Sequence, residues 1–257
     1  MTRNNDYDHV MSVDKKNVKH LWIDSIKLEI DQQHQHNTCK DICKGQPPKG
    51  CNKIRDHFVF DVKHDGMHTA ILVADRHLTD VPLSRVYSGL VSLRGIMLAL
   101  FLDEMNGLES WGTCEGNDFI EVFTKEKACS VAVSKFGHLE GHNLIIVSAS
   151  HGLQDSGVGW HERLANFLRG VGFEPWKTQP DVWWHLCEET HYDHVVVCVD
   201  DLIIASKDLK GTSEILISKH SIELKGERKM SYHLGYDFDR DDDSTLHFCL
   251  KACRNNS

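Results

Sequence analysis

The sequence predicts a mixed α+β protein, because two kinds of local signal alternate along it. Apolar residues recur at helical spacing in several stretches, and short runs rich in Val, Ile and Phe lie between them. One Asp-Gly pair separates two such runs as a hairpin turn does. At 257 residues the chain can bury a sizeable core, as one large domain or two small ones.

Residues 1–13 are polar and are expected to form a disordered N-terminus, with the folded part running over 14–257. From Asp14, the residues Val18, Leu21, Trp22, Ile26 and Ile30 recur at spacings of three and four, predicting an amphipathic helix with Asp14 as its N-cap. His34, His36, Cys39, Cys43 and Cys51 follow, five potential zinc ligands. Their spacing matches none of the usual paired zinc patterns, and Pro47-Pro48-Lys49-Gly50 reads as a turn into a strand.

Residues 57–63 and 69–74 flank His64-Asp65-Gly66 and predict a β-hairpin. Pro82 opens a long helical pattern through Val86, Leu90, Leu93, Met97, Leu98, Phe101, Leu102 and Met105, closed by Gly107; its broad apolar surface predicts a central core helix. Residues 111–120 read as a strand running into a turn or short helix, and 143–147 as another strand. The cluster His138-Leu-Glu140-Gly-His142 resembles a metalloprotease helix only superficially and is expected to be a loop. Gly152 and Gly157 flank a turn before an amphipathic helix with Trp160, Leu164, Phe167 and Leu168, ended by Gly170 and Gly172.

The most informative stretch is 194–205, where two apolar β-rich runs bracket Asp200-Asp201. It predicts two buried strands with both acids at the connecting turn. Carboxylates beside an apolar sheet need a cation or hydrogen bonds to compensate them, so the pair fits a Mg²⁺ or Mn²⁺ site. It fits an ordinary solvated hairpin turn equally well. Beyond it, 214–220 looks helical, 221–224 and 232–238 extended, and Asp239, Asp241, Asp242 and Asp243 mark an exposed turn.

The formal charge is −9, with 38 acidic against 29 basic residues. That balance counts against tight nucleic-acid binding, which draws on neutralised phosphates, while leaving room for a local basic groove. The cysteines, nine in number and without framework spacing, are expected to be reduced thiols. The first residues are too polar for a signal peptide and no apolar run approaches the ~18 residues of a membrane span, so an intracellular protein, in cytoplasm or nucleus, is expected.

Several of these stretches, in order, resemble the reverse transcriptase of copia-type LTR retrotransposons over roughly residues 16–250. Cys198-Val-Asp200-Asp201 looks like that family's Tyr-Val-Asp-Asp box. His151-Gly-Leu-Gln154-Asp-Ser-Gly-Val158-Gly-Trp160 is similar to its Tyr-Gly-Leu-Lys-Gln-Ala-Pro-Arg-x-Trp stretch. Thr69-Ala-Ile71-Leu-Val-Ala74 stands where the family has Lys-Ala-Arg-Leu-Val-Ala, and Leu234-Gly235 resembles its primer-contacting hairpin.

The resemblance implies a right-hand polymerase fold: an N-terminal helix and linker over 14–53, fingers over 54–107, a ferredoxin-like palm over 108–238 and a truncated thumb or tail over 239–257. It implies RNA-directed DNA polymerase chemistry with Mg²⁺ or Mn²⁺ as cofactor, and a template-primer of RNA or DNA and a dNTP as partners. Asp200 and Asp201 then form the catalytic and metal-binding pair, with Phe119, Lys63 and Gly152 on the substrate side.

The chain departs from the family where that chemistry is concentrated. The first palm carboxylate aligns with Cys114, a soft donor poorly matched to Mg²⁺. Glu115 is expected to face away from the hairpin acids, since strand neighbours alternate, and Asp118 reaches them only if the chain turns back. The fingers Lys and Arg align with Thr69 and Ile71, and the box Gln and Arg with Asp155 and Val158, which weakens binding of a triphosphate. The sequence therefore reads as a degenerate, catalytically impaired copy. Two other readings stand beside it: a non-catalytic nucleic-acid or protein-binding module on the same fold, and a zinc-dependent interaction module around Cys39, Cys43 and Cys51.

Overall fold

A computed structural model describes residues 7–63, 66–75, 91–115, 122–124, 127–132, 134–148, 153, 156–187, 190–198, 201–220, 224–229, 232–233, 236–242 and 245–250. Among them are helices and strands of both α and β kinds, as expected, numbered here along the chain. They gather into two compact units, residues 1–87 with 119–160 and residues 88–118 with 161–257.

The first unit opens with α1 (Tyr7–Asn17) and α2 (Leu21–Gln35), where a disordered stretch to residue 13 and one helix from Asp14 were expected. Val10 explains the extra helix: it is buried in the cluster that holds Trp22, Ile26 and Ile30, so the polar stretch carries an apolar anchor. The break between the helices falls at Val18, whose φ of 51° no right-handed helix accepts. Asp14 is inside α1 rather than at a helix start. Its Oδ2 accepts the backbone N–H groups of Trp22 (3.0 Å) and Ile23 (3.2 Å), so it caps α2 from the preceding helix. His20, the residue before α2, makes no side-chain cap bond of its own.

The expected hairpin is β3 (Asp56–Val62) with β4 (His68–Ala74), antiparallel from Asp56↔Ala74 to Val62↔His68. Gly66 takes φ 86°, and the Lys63 N–H donates to the Met67 carbonyl; His64 and Asp65 lie outside the described residues. Phe58, Phe60, Ala70 and Leu72 pack with Trp22, Ile26 and Ile30 of α2, so the hairpin and helix share one core. A second sheet contains β1 (Cys39–Asp41), β2 (Asn52–Lys53), β6 (Ala128–Val131) and β7 (Asn143–Ile146), in the order β1-β7-β6-β2. Of these, β7 matches the strand expected at 143–147.

The second unit is built on one antiparallel sheet. It comprises β5 (Glu109–Glu115), β8 (Glu174–Pro175), β9 (Val182–Cys187), β10 (His191–Cys198), β11 (Asp201–Ser206) and β12 (Leu224–Lys229), in the order β12-β5-β11-β10-β9-β8. Helix α3 (Leu93–Met105) lies against β5, β9 and β10, and α5 (Leu209–His220) against β5 and β11. The remaining helix, α4 (Ser156–Gly170), belongs to this unit from His161 onward. Ile96, Ala99 and Leu100 of α3 share a core with Val182, Val196, Cys198 and Ile203. A small sheet of β13 (Tyr232–His233), β14 (Tyr236–Arg240) and β15 (Leu246–Leu250) adds Phe238 and Phe248 to that core.

Helix α3 starts at Leu93, with Ser92 Oγ accepting the Gly95 N–H at 3.0 Å, so the expected continuous helix from Pro82 does not run through residues 91 and 92. Pro82, Val86 and Leu90 lie outside the described residues. Nor is α3 buried all round: Met97, Leu98, Phe101 and Met105 remain largely exposed.

The Asp14 cap generates a test. Asp14→Ala leaves two backbone N–H groups without their acceptor and should lower unfolding free energy by about 1–2 kcal/mol in urea denaturation, with Asp14→Asn retaining most of it.

Candidate functional site

Two of the positions foreseen from sequence, Asp201 and Cys114, lie on neighbouring strands. β10 and β11 pair from His194↔Ala205 to Cys198↔Asp201, and β11 pairs with β5 from Ser206↔Glu109 to Asp201↔Cys114. Asp201 is thus the first residue of the return strand rather than part of the turn, because the ladder closes on the Cys198↔Asp201 pair. The two residues joining the strands are Val199 and Asp200, which lie outside the described residues, as do Phe119, Gly152 and Asp118.

The register puts Cys114 directly across from Asp201 on the neighbouring strand. The position aligned with the first palm carboxylate is therefore a backbone neighbour of the second half of the acid pair. Glu115 pairs onward with Leu224 of β12. Lys63 is exposed just after β3 in the first unit, and Thr69 and Ile71 lie on β4 opposite Asp61 and Val59. Of the five potential zinc ligands in the first unit, only Cys43 joins a convergent group among the described residues, and its companions are Asp41 and His142. The alternative zinc grouping of Cys39, Cys43 and Cys51 is not among the convergent groups of the described residues, and Cys39 packs against a buried core cluster.

The electrostatics around Asp201 disfavour a second ionised group. Cys198 is 2% exposed, and burial, reinforced by the carboxylates of Asp201 and Asp181, pushes its thiol up to about 12. Asp181 went unremarked in the sequence. It precedes β9, its carbonyl accepts the Val197 N–H at 2.8 Å, and its Oδ1 lies 2.6 Å from His161 Nε2. A second acid–imidazole pair, also missed, lies at the other end of β10. His194 Nδ1 is 2.5 Å from Asp103 Oδ1, and the Trp176 ring meets the imidazole edge-on. Asp103 is 0% exposed, and burial raises its carboxyl while the His194 hydrogen bond opposes that rise. A lone Asp in an apolar helical pattern was the available signal for it.

The donor set fits a two-metal centre poorly. Hard oxygen ligands suit Mg²⁺, and one of the three aligned positions offers sulfur.

No family model and no curated protein matches this chain. Among solved structures it is similar to the foamy viral protease-reverse transcriptase dRH in complex with ds DNA, at 11% identity and a TM-score of 0.42. The match covers 82% of this chain and 33% of that one, so this chain spans about a third of that structure's length. Among the described residues no helix is long and apolar enough to cross a membrane.

Two measurements follow from the buried groups. Removing one partner of a buried acid–imidazole pair strands the other, so His194→Ala should cost about 3–5 kcal/mol of unfolding free energy. The second concerns pH. An unfolded Cys198 ionises at its ordinary value of 9.0, whereas the folded thiol holds its proton to about 12. Its contribution to stability is present below pH 9.0 and is lost as pH rises toward about 12. Urea midpoints taken from pH 8 upward should fall less steeply in Cys198→Ala than in the wild type.

Proposed function

We propose that this chain is a degenerate polymerase of the copia-type reverse transcriptase kind, whose catalytic centre lacks its first carboxylate. The observation that supports this most directly is the Asp201↔Cys114 pairing. The sequence resemblance aligns Cys114 with the first palm acid and Asp200-Asp201 with the hairpin acids. An antiparallel neighbour relation between those two positions is what that alignment requires.

On this reading the wild-type chain does not carry out nucleotidyl transfer at a useful rate. Loss of a single transition-state donor in other enzymes costs about 10²–10³ in rate, and a bridging carboxylate matters at least as much. Thr69 and Ile71, at the positions of two fingers cations, remove further stabilisation of a triphosphate.

The test is primer extension on poly(rA)–oligo(dT) with Mg²⁺ and with Mn²⁺, comparing the wild type with Cys114→Asp carrying Thr69→Lys and Ile71→Arg. The expected result is a silent wild type and a repaired variant that extends primer. Extension by the wild type overturns the account of Cys114. Silence of a repaired variant that is folded by circular dichroism overturns the polymerase reading itself.

A further inference from the structure

The hairpin of β9 and β10 carries a group of side chains that the polymerase reading does not use. Its register pairs Cys187 with His191 and His185 with Asp193. Side chains two apart on a strand share a face, and so do residues directly opposite, so all four project from one side of the hairpin near its turn. The ligand atoms of Cys187, His191 and Asp193 all lie within 4.8 Å of one another.

The decisive feature is Asp193. It is 4% exposed, and its Oδ2 accepts a hydrogen bond from Thr212 Oγ1 at 3.0 Å. Its Oδ1 is buried and has no hydrogen-bond partner. That oxygen lies 3.5 Å from His191 Nε2. A buried carboxylate oxygen left without a donor is costly unless something else compensates the charge. A cation between Oδ1, the imidazole and the thiol does so.

We propose that Cys187 Sγ, His191 Nε2 and Asp193 Oδ1 bind a zinc ion, with water in the fourth position. The His191–Asp193 spacing already equals a tetrahedral edge, which for Zn–N and Zn–O bonds of about 2.0–2.2 Å is roughly 3.3–3.6 Å. The mixed sulfur, nitrogen and oxygen set suits zinc and excludes Mg²⁺ and Ca²⁺ as preferred ions. His185 is the positioning residue: its Nδ1 lies 3.4 Å from Cys187 Sγ and can donate to the bound thiolate, while its ring packs on Phe173. Thr212 holds the other carboxylate oxygen and so aims Oδ1.

The comparable group in the first unit lacks such a feature. There His142 Nδ1 lies 3.0 Å from both carboxylate oxygens of Asp41, and the Cys43 N–H also donates to Oδ1, so the acid is already satisfied. The zinc proposal is independent of the polymerase reading, since it shares no residue with Asp200, Asp201 or Cys114.

The test uses the full chain, stripped with chelator and titrated with Zn²⁺, and with Co²⁺ as a spectroscopic probe. The expected result is about one zinc per chain, a Zn²⁺-dependent rise in Tm, and a Co²⁺ spectrum with tetrahedral ligand-field bands and thiolate charge transfer. Cys187→Ser, His191→Ala and Asp193→Asn should each abolish the charge-transfer band or the stoichiometric binding, His185→Ala should weaken binding by about tenfold, and Cys43→Ser should change nothing. Near-wild-type circular dichroism of Asp193→Asn separates loss of the ligand from loss of the fold. Absence of binding by the folded wild type, an octahedral Co²⁺ spectrum, or binding that survives those three substitutions and disappears in Cys43→Ser overturns the proposal.

Discussion

Burial of β10 and β11 on both faces is the constraint on which the second unit depends. Val195, Val196, Val197 and Cys198 are each at most 4% exposed, and Leu202 through Ala205 at most 2%. Alternation normally fixes a strand's register, because a slip of one residue turns its apolar set toward water. A strand covered on both sides has no such signal. Polar residues at its beginning supply it instead: Asp193 bonds Thr212 of α5, and the next residue, His194, bonds Asp103 of α3. A one-residue slip would turn each toward the wrong helix. The Asp201↔Cys114 neighbour relation is a downstream consequence of that pinning.

The same unit shows a consistent way of keeping carboxylates inside an apolar structure. Asp103 meets His194 and Asp181 meets His161. Imidazole is compact and can donate one proton without carrying a charge, so it satisfies a buried acid more cheaply than Lys or Arg, which bring a full charge with them. At the surface the unit uses the other solution, where Arg240 grips Glu104 with both terminal nitrogens.

On the proposed reading, the chemistry and the scaffold separate at Cys114. The backbone pairing of β5 with β11 does not depend on whether that side chain is a thiol or a carboxylate. A hard divalent cation distinguishes them sharply. On that reading the fold outlasts the reaction, since packing depends on shape and burial whereas metal binding depends on the identity of single donor atoms.

Much of the architecture was legible in local pattern. The 57–74 hairpin, the cores of α3, α4 and α5, and the β10–β11 pair each carry a period, a turn pair or an apolar run that needs no partner to be read. The sequence also singled out Asp201 and the unusual sulfur at position 114. What it misread was decided at a distance. Helix α1 depends on Val10 reaching the Trp22 cluster, and Asp14 turned out to cap a helix that begins seven residues later. The short strands β1, β2, β6 and β8 exist only through their neighbours' hydrogen bonds, and β9 gives its His185 and Cys187 meaning only when β10 sets His191 and Asp193 opposite. Asp103 and His194 are far apart in sequence and 2.5 Å apart in the fold. Local propensity and periodicity are properties of a few consecutive residues and survive in a string of letters; cross-strand register and the pairing of buried polar groups arise only when the chain closes on itself, which is why the tertiary structure alone decided them.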